Sequence, residues 1–213
     1  MGTKSTRQYD FATRVVLTEE EVRTRTRNVA KRIAEDYRGY GLKRLENPLI
    51  LVCVLKGSVV FAVELCRFLG DFGIPSRLEF ICASSYGQGT VTSGEVEVKF
   101  DSARDVEGKH VLLVEDIVDT ALTLKKLHDI FKERRPASLR TVVLMNKPDG
   151  RRVDFEPEYI VANVPNDFVV GYGLDYDESF REVRDVCALK PCVYEEWGKV
   201  IAQRQKNNQK SHL

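Results

Sequence analysis

Two hydrophobic periods alternate along this chain. Thr18-Glu19-Glu20-Glu21 has the form of a capping box, a hydroxyl followed three residues later by a carboxylate. Behind it Val22, Val29, Ile33 and Tyr37 recur at helical spacing, until Gly39 and Gly41 end the pattern. Residues 49–54 form an unbroken apolar run, short enough for a strand covered on both faces. Lys56-Gly57 breaks that run, and residues 58–69 read as a helix ended by Gly70. Residues 78–83 are a second strand. Residues 84–94 are rich in glycine and hydroxyls, which marks a loop or hairpin. Residues 95–100 alternate valine with charge, as a solvent-facing strand does. Two more buried strands, 111–114 and 139–145, flank a helix over 121–134. Short strands at 159–162 and 168–170 follow, then a terminal helix over 195–206. Strands alternating with helices predict an α/β fold, a mostly parallel twisted sheet with helices on both faces.

The run 111–114 stops on two adjacent carboxylates, Glu115 and Asp116. A short turn, Asp119-Thr120-Ala121-Leu122-Thr123, leads into the next helix. In open α/β sheets ligands bind beyond the carboxyl ends of the strands. A helix starting there offers unpaired N–H groups and the positive end of its dipole to a phosphate. Two vicinal acids beside such a cradle suit the hydroxyls of a ribose 5-phosphate.

Composition narrows the classes. The chain has 213 residues, enough for one domain with a small appendage. Net charge is +1, so no global field favours nucleic acid or an anionic membrane. No apolar run reaches the length of a membrane span, and the polar start is no secretory signal. Five cysteines without a Cys-x-x-Cys pair point to buried thiols in a reducing compartment. Three histidines leave little for a zinc site or a Ser-His-Asp triad.

The string 111–123 resembles the phosphoribosyl pyrophosphate (PRPP) signature of the type I phosphoribosyltransferases. Leu55-Lys56-Gly57, Met145-Asn146-Lys147, the stretch from Phe168 to Tyr176 continuing to Phe180-Arg181, and Ser85-Tyr86 extend the likeness. Together they resemble the hypoxanthine-guanine phosphoribosyltransferases, over residues 49–189. The resemblance implies the type I phosphoribosyltransferase fold with a small hood lobe. It places the core at about 45–176, the hood in the N-terminal segment and about 177–200, and a flexible tail at 207–213. The N-terminal helix is expected in that second lobe.

The same resemblance implies transfer of ribose 5-phosphate from PRPP to N9 of hypoxanthine or guanine, giving IMP or GMP and pyrophosphate, with Mg²⁺ as cofactor. Glu115 and Asp116 would bind the ribose hydroxyls, directly or through hydrated metal. Asp119, Thr120, Ala121, Leu122 and Thr123 would cradle the 5-phosphate. Asp119 would also be the catalytic proton acceptor near N7 of the purine. Lys56, Gly57 and Arg181 would bind pyrophosphate, and the Leu55–Lys56 bond can be cis. Lys147 would donate to O6, Phe168 would stack on the base, and Val169 and Asp175 would meet its edge. Asp175, Glu115 and Asp116 are the implied metal ligands. Ser85 and Tyr86 would belong to a lid. Ala121 departs from the family, which often has glycine there; either the backbone is helical at that point or the phosphate fit differs. A homodimer or homotetramer is implied, with no nucleic-acid or membrane partner. A xanthine-preferring enzyme and a non-catalytic PRPP-binding nucleic-acid regulator stay open as alternatives.

The ends suggest addresses. Met1-Gly2 with Thr6 fits a loose myristoylation pattern. Ser211-His212-Leu213 is a near variant of the Ser-Lys-Leu signal of peroxisome-like organelles, which in a kinetoplastid means the glycosome; the cytoplasm is the alternative.

Overall fold

The clearest local signal becomes the first helix. In the computed structural model, which describes residues 7–85, 96–103, 105–195 and 198, strand β1 (Ala12–Leu17) leads into α1 (Glu19–Asp36). The Thr18 hydroxyl accepts from the Glu21 N–H at 3.2 Å, and the Glu21 carboxylate accepts from the Thr18 N–H at 2.9 Å. Both halves of the capping box are therefore made. Val22, Val29 and Ile33 turn to the interior.

The chain continues through β2 (Leu49–Leu55), α2 (Val59–Asp71), β3 (Ser76–Ser85), β4 (Val96–Asp101), β5 (His110–Val118), α3 (Leu122–Glu133), β6 (Ser138–Asn146), β7 (Tyr159–Asn163), β8 (Val169–Val170) and β9 (Val186–Leu189). Six strands form one sheet in the order β4-β3-β2-β5-β6-β7. Among the described residues of this sheet only the β3–β4 pair is antiparallel. Leu49, Leu51 and Cys53 of β2 join the core under α1 and α2, while Ile50, Val52 and Val54 join the core under α3. β5 divides likewise, Leu112 and Val114 to one face and Val111 and Leu113 to the other. That division is why both strands read as continuous apolar runs. Each fully buried Leu, Ile or Val contributes roughly 1.5–3 kcal/mol relative to exposure.

From β2 the chain moves outward to β3 and β4, then crosses to β5 and runs the other way to β6 and β7. The topological switch point thus lies between β2 and β5, where open α/β sheets form their ligand crevice.

A second sheet, order β1-β9-β8, is antiparallel throughout. Neither β1 nor β9 was evident in the sequence. Their pairing is non-local, β1 lacks clean alternation, and β9 has four residues. α1, expected in the smaller lobe, instead packs against α2 and β7 in the main core. The small sheet takes in β8, ahead of residue 177. Other boundaries also move. Gly70 lies inside α2 and does not end it. β5 runs on through Glu115 and Asp116, because β6 keeps pairing with it as far as Val118–Asn146. A final helix begins at Pro191, ahead of the expected Glu195; residues 199–213 lie outside the described residues.

Candidate active site

Three neighbouring strands, β2, β5 and β6, deliver the expected groups at their carboxyl ends. β2 ends at Leu55, and the Leu55–Lys56 peptide is cis. The turn that follows touches β5 directly: a Cβ on Gly57 would sit 1.6 Å from Asp116 Oδ2. Only glycine allows that approach, so Lys56-Gly57 and the acidic pair are held together.

Asp116 Oδ1 accepts from the Ile117 N–H at 2.7 Å, and Glu115 Oε2 is buried with no hydrogen-bond partner among the described residues. Desolvation, then the neighbouring Asp116, raises the Glu115 carboxyl well above its ordinary value. Desolvation raises Asp116 too, although its hydrogen bonds and the charge of Arg181 oppose the shift. Two acids that repel one another in a low-dielectric floor gain from a cation or from hydroxyl donors. A cavity of about 270 Å³ opens over them, walled by Asp119, Thr120, Ala121 and Thr123. A larger surface groove, about 640 Å³ beside Glu19, Arg23 and Arg184, lies away from these strand ends.

Ala121 settles the question its sequence raised. Its φ is 62° and its ψ 4°, left-handed and not helical. The first intrahelical bond runs from the Lys125 N–H to the Ala121 carbonyl at 2.9 Å. The N–H groups of Thr123 and Leu124 therefore precede the ladder and have no intrahelical acceptor. Leu122 N–H points to Thr120 Oγ1 at 3.5 Å.

β6 brings Lys147 beside this loop. Its side chain is 10% exposed, and Nζ lies 3.9 Å from Asp119 Oδ2. A Cβ on Gly150 would stand 1.7 Å from Asp119 Oδ1, so the turn after Lys147 closes on Asp119. Arg151 ties the two strand ends together. Its Nη1 donates to the carbonyls of Asp119 (2.7 Å), Val118 (3.3 Å) and Lys147 (3.4 Å), and its Nη2 to Asn146 Oδ1. Nothing in the sequence singled out Arg151, because its partners are mostly main-chain oxygens. Its place four residues after Lys147 is the one usable signal.

The remaining groups arrive from the segment after β8. Arg181 Nη1 is 2.8 Å from Asp175 Oδ1 and donates to the Gly173 carbonyl at 2.9 Å. Lys56 Nζ meets Glu178 Oε2 at 2.9 Å, and Arg181 Nη2 meets the same oxygen at 3.2 Å. Glu178 was likewise not anticipated. Phe168, ahead of β8, is 48% exposed. It stands edge-on to Tyr176 at 5.4 Å and lies 6.1 Å from the Tyr194 ring. Val169 is buried in β8. Ser85 ends β3, and Tyr86 lies outside the described residues.

A family model described as the phosphoribosyl transferase domain matches residues 22–177. The chain belongs to the phosphoribosyltransferase family. Its relatives narrow the membership to the hypoxanthine-guanine group. The hypoxanthine-guanine phosphoribosyltransferase of Leishmania donovani is 50% identical over 195 residues, 92% of each chain. A solved hypoxanthine phosphoribosyltransferase of Trypanosoma cruzi is 57% identical with a TM-score of 0.87, covering 91% of this chain and 99% of the other. Another structure of the Trypanosoma cruzi enzyme, in complex with the product IMP, is 57% identical with a TM-score of 0.84, covering 88% and 100%. The expected fold class is thereby established: a largely parallel sheet with α1 and α2 on one face and α3 on the other.

Proposed function

We propose that this family member transfers ribose 5-phosphate from PRPP to N9 of hypoxanthine or guanine, and that Lys147 and Asp119 read the base. The observation that carries this is their spacing, 3.9 Å between Nζ and Oδ2 at the ends of adjacent strands. A 6-oxopurine presents O6, an acceptor, and N7 on one edge. An ammonium is a donor only, and a carboxylate is an acceptor. The pair therefore matches O6 and a protonated N7 together.

In the reaction the N9–C1′ bond forms and the bond from C1′ to the pyrophosphate oxygen breaks. Pyrophosphate carries away the electron pair, and the N7 proton passes to Asp119. The N–H groups at the start of α3, with Thr120 and Thr123, hold the 5-phosphate. Glu115 and Asp116 take the ribose hydroxyls, and Lys56, Gly57 and Arg181 take pyrophosphate. Phe168 stacks on the base, with Val169 and Asp175 at its edge, and Ser85 and Tyr86 close over the site and exclude water.

Magnesium fits this donor set. No group of three potential ligands gathers among the described residues, and Mg²⁺ commonly takes one or two carboxylates and completes its shell with phosphate oxygens and water. Asp175, Glu115 and Asp116 are the carboxylates that would hold it. When bound it neutralises the leaving group and orients it.

The protein acts as a homodimer or homotetramer. Val59, Val60 and Val63, each more than a third exposed on α2, offer an apolar contact beside the Gly57 turn. It works in the glycosome if Ser211-His212-Leu213 is read as an address, and otherwise in the cytoplasm.

Incubation with PRPP, Mg²⁺ and each of four bases tests the assignment. Hypoxanthine and guanine are converted, and adenine is converted roughly 10⁴–10⁵-fold less efficiently, because its amino group meets a donor. Comparable rates with adenine would sink the role of Lys147, and a preference for xanthine would move the specificity to the 2-position.

A further inference from the structure

Glu178 stands between the two cations assigned to pyrophosphate. One of its oxygens lies 2.9 Å from Lys56 Nζ and 3.2 Å from Arg181 Nη2. Asp175 takes the other terminal nitrogen of Arg181 at 2.8 Å, and its second oxygen accepts the Glu178 N–H at 2.9 Å. Two acids of one turn thus neutralise two cations that come from distant segments.

The turn is shaped to deliver that carboxylate. Tyr176 and Ser179 exchange main-chain hydrogen bonds at 3.1 Å. Asp177, Glu178 and Phe180 take φ values of 51°, 64° and 76°, a left-handed conformation that is unfavourable for residues with a Cβ. The segment after β8 that leads into the turn is seated on the loop that carries Lys56: a Cβ on Gly173 would stand 2.2 Å from the Gly57 carbonyl oxygen. The reach from Glu178 to Lys56 is therefore set by the backbone. The Glu178 side chain is itself 62% exposed, so it can swing outward without unpacking a core.

An anion shared by an ammonium and a guanidinium is in the position a phosphate group takes between the same two donors. We propose that Glu178 is a built-in competitor for pyrophosphate. It takes the anion position between Lys56 and Arg181 when no pyrophosphate is bound, leaves when the pyrophosphate group of the donor enters, and returns as that group departs. The inference rests on the assignment of Lys56 and Arg181 to pyrophosphate. It adds a group whose work is to weaken retention of the product.

Calorimetric titration of the full chain with magnesium pyrophosphate tests it. Glu178→Gln and Glu178→Ala are compared with wild type and with Glu182→Gln, which removes the same charge from the same segment without bridging the cations. Exposed ion pairs are individually weak, so both Glu178 variants should bind pyrophosphate about three- to tenfold more tightly, and Glu182→Gln should stay within about twofold. Unfolding midpoints accompany each titration, and two substitutions at one site keep a folding defect in either from deciding the result. Unchanged or weaker binding in the folded Glu178 variants overturns the proposal. Equal tightening in Glu182→Gln overturns it as well, since the effect would then be one of net charge. If wild type itself fails to bind pyrophosphate, the assignment of Lys56 and Arg181 falls and takes the competitor with it.

Discussion

Glu115 carries a cost that only a ligand removes. Its carboxyl is raised by desolvation and by Asp116, above an ordinary value of 4.5. A carboxyl whose pKa is higher folded than unfolded stabilises the fold at low pH. That contribution is lost as pH rises through the folded value. Glu115→Gln should therefore raise the unfolding midpoint of the ligand-free protein. The gain should be larger at pH 8 than at pH 5, on a scale of about 2–4 °C for each kcal/mol in a chain of this size. Scanning calorimetry at both pH values reads it directly. The same variant should bind PRPP more weakly, because a neutral amide gives a ribose hydroxyl or Mg²⁺ a poorer acceptor. A lower midpoint at pH 8 would mean that Glu115 is satisfied in the empty site. Asp119 makes the complementary case. Asp119→Asn keeps shape and removes the proton acceptor, so kcat should fall roughly 10²–10⁴-fold with little change in the unfolding midpoint. Turnover within about threefold of wild type would remove the general-base role, whose usual size is far larger. Both acids stood out in the sequence because they sit in a recognisable string. Arg151 did not, because a guanidinium that grips carbonyl oxygens leaves no pattern of residue types.

Among the elements, α3 shows where residue chemistry and backbone geometry diverge. Ala121 sits at φ 62° in the slot glycine would fill. Left-handed backbone costs an L-residue roughly 1–2 kcal/mol. Against that, the buried Ala121 methyl contributes about 0.8 kcal/mol of burial, and Gly would add about 0.4–1 kcal/mol of unfolded-state entropy. The terms nearly cancel. Ala121→Gly should thus leave the midpoint within about 3 °C of wild type, whereas Ala121→Val should lower it clearly and weaken PRPP binding, since a β-branched residue does not tolerate positive φ. Thermal melts of both variants decide the point, and a well-tolerated valine would contradict the left-handed loop. Elements that bury two faces, β2 and β5, were legible from hydrophobicity alone. The small sheet was not. β1 exposes Thr13 and Arg14, and β9 is too short for any period to register, so both exist through their partners. β8 showed only as a short apolar run at 168–170, with nothing to name its partner.

At the scale of the whole molecule, strand order explains why the site forms where it does. The chain reverses direction of travel between β2 and β5, and both neighbours of that seam bring charged residues to their ends. The alternation of strands and helices was readable; the reversal was not, since nothing local encodes which side of β2 receives β5. If Ser211-His212-Leu213 is an organelle address, deleting those three residues should send the protein to the cytosol with kcat and KM unchanged. Fractionation of intact and shortened protein in the native cell checks it. Intact protein that travels with cytosolic markers would make the tripeptide an accident of sequence.

The three strand ends also divide the labour of the proposed reaction. Lys56 follows β2, Asp119 follows β5 and Lys147 follows β6, three strands that lie side by side in the sheet. On the proposed roles the donor's pyrophosphate and sugar phosphate meet the first two strand ends and the acceptor base the last, with Asp119 shared between sugar phosphate and base, like stations along a bench. Substitution at the last station can alter the choice of acceptor while Lys56, at the first, goes on handling the donor's pyrophosphate.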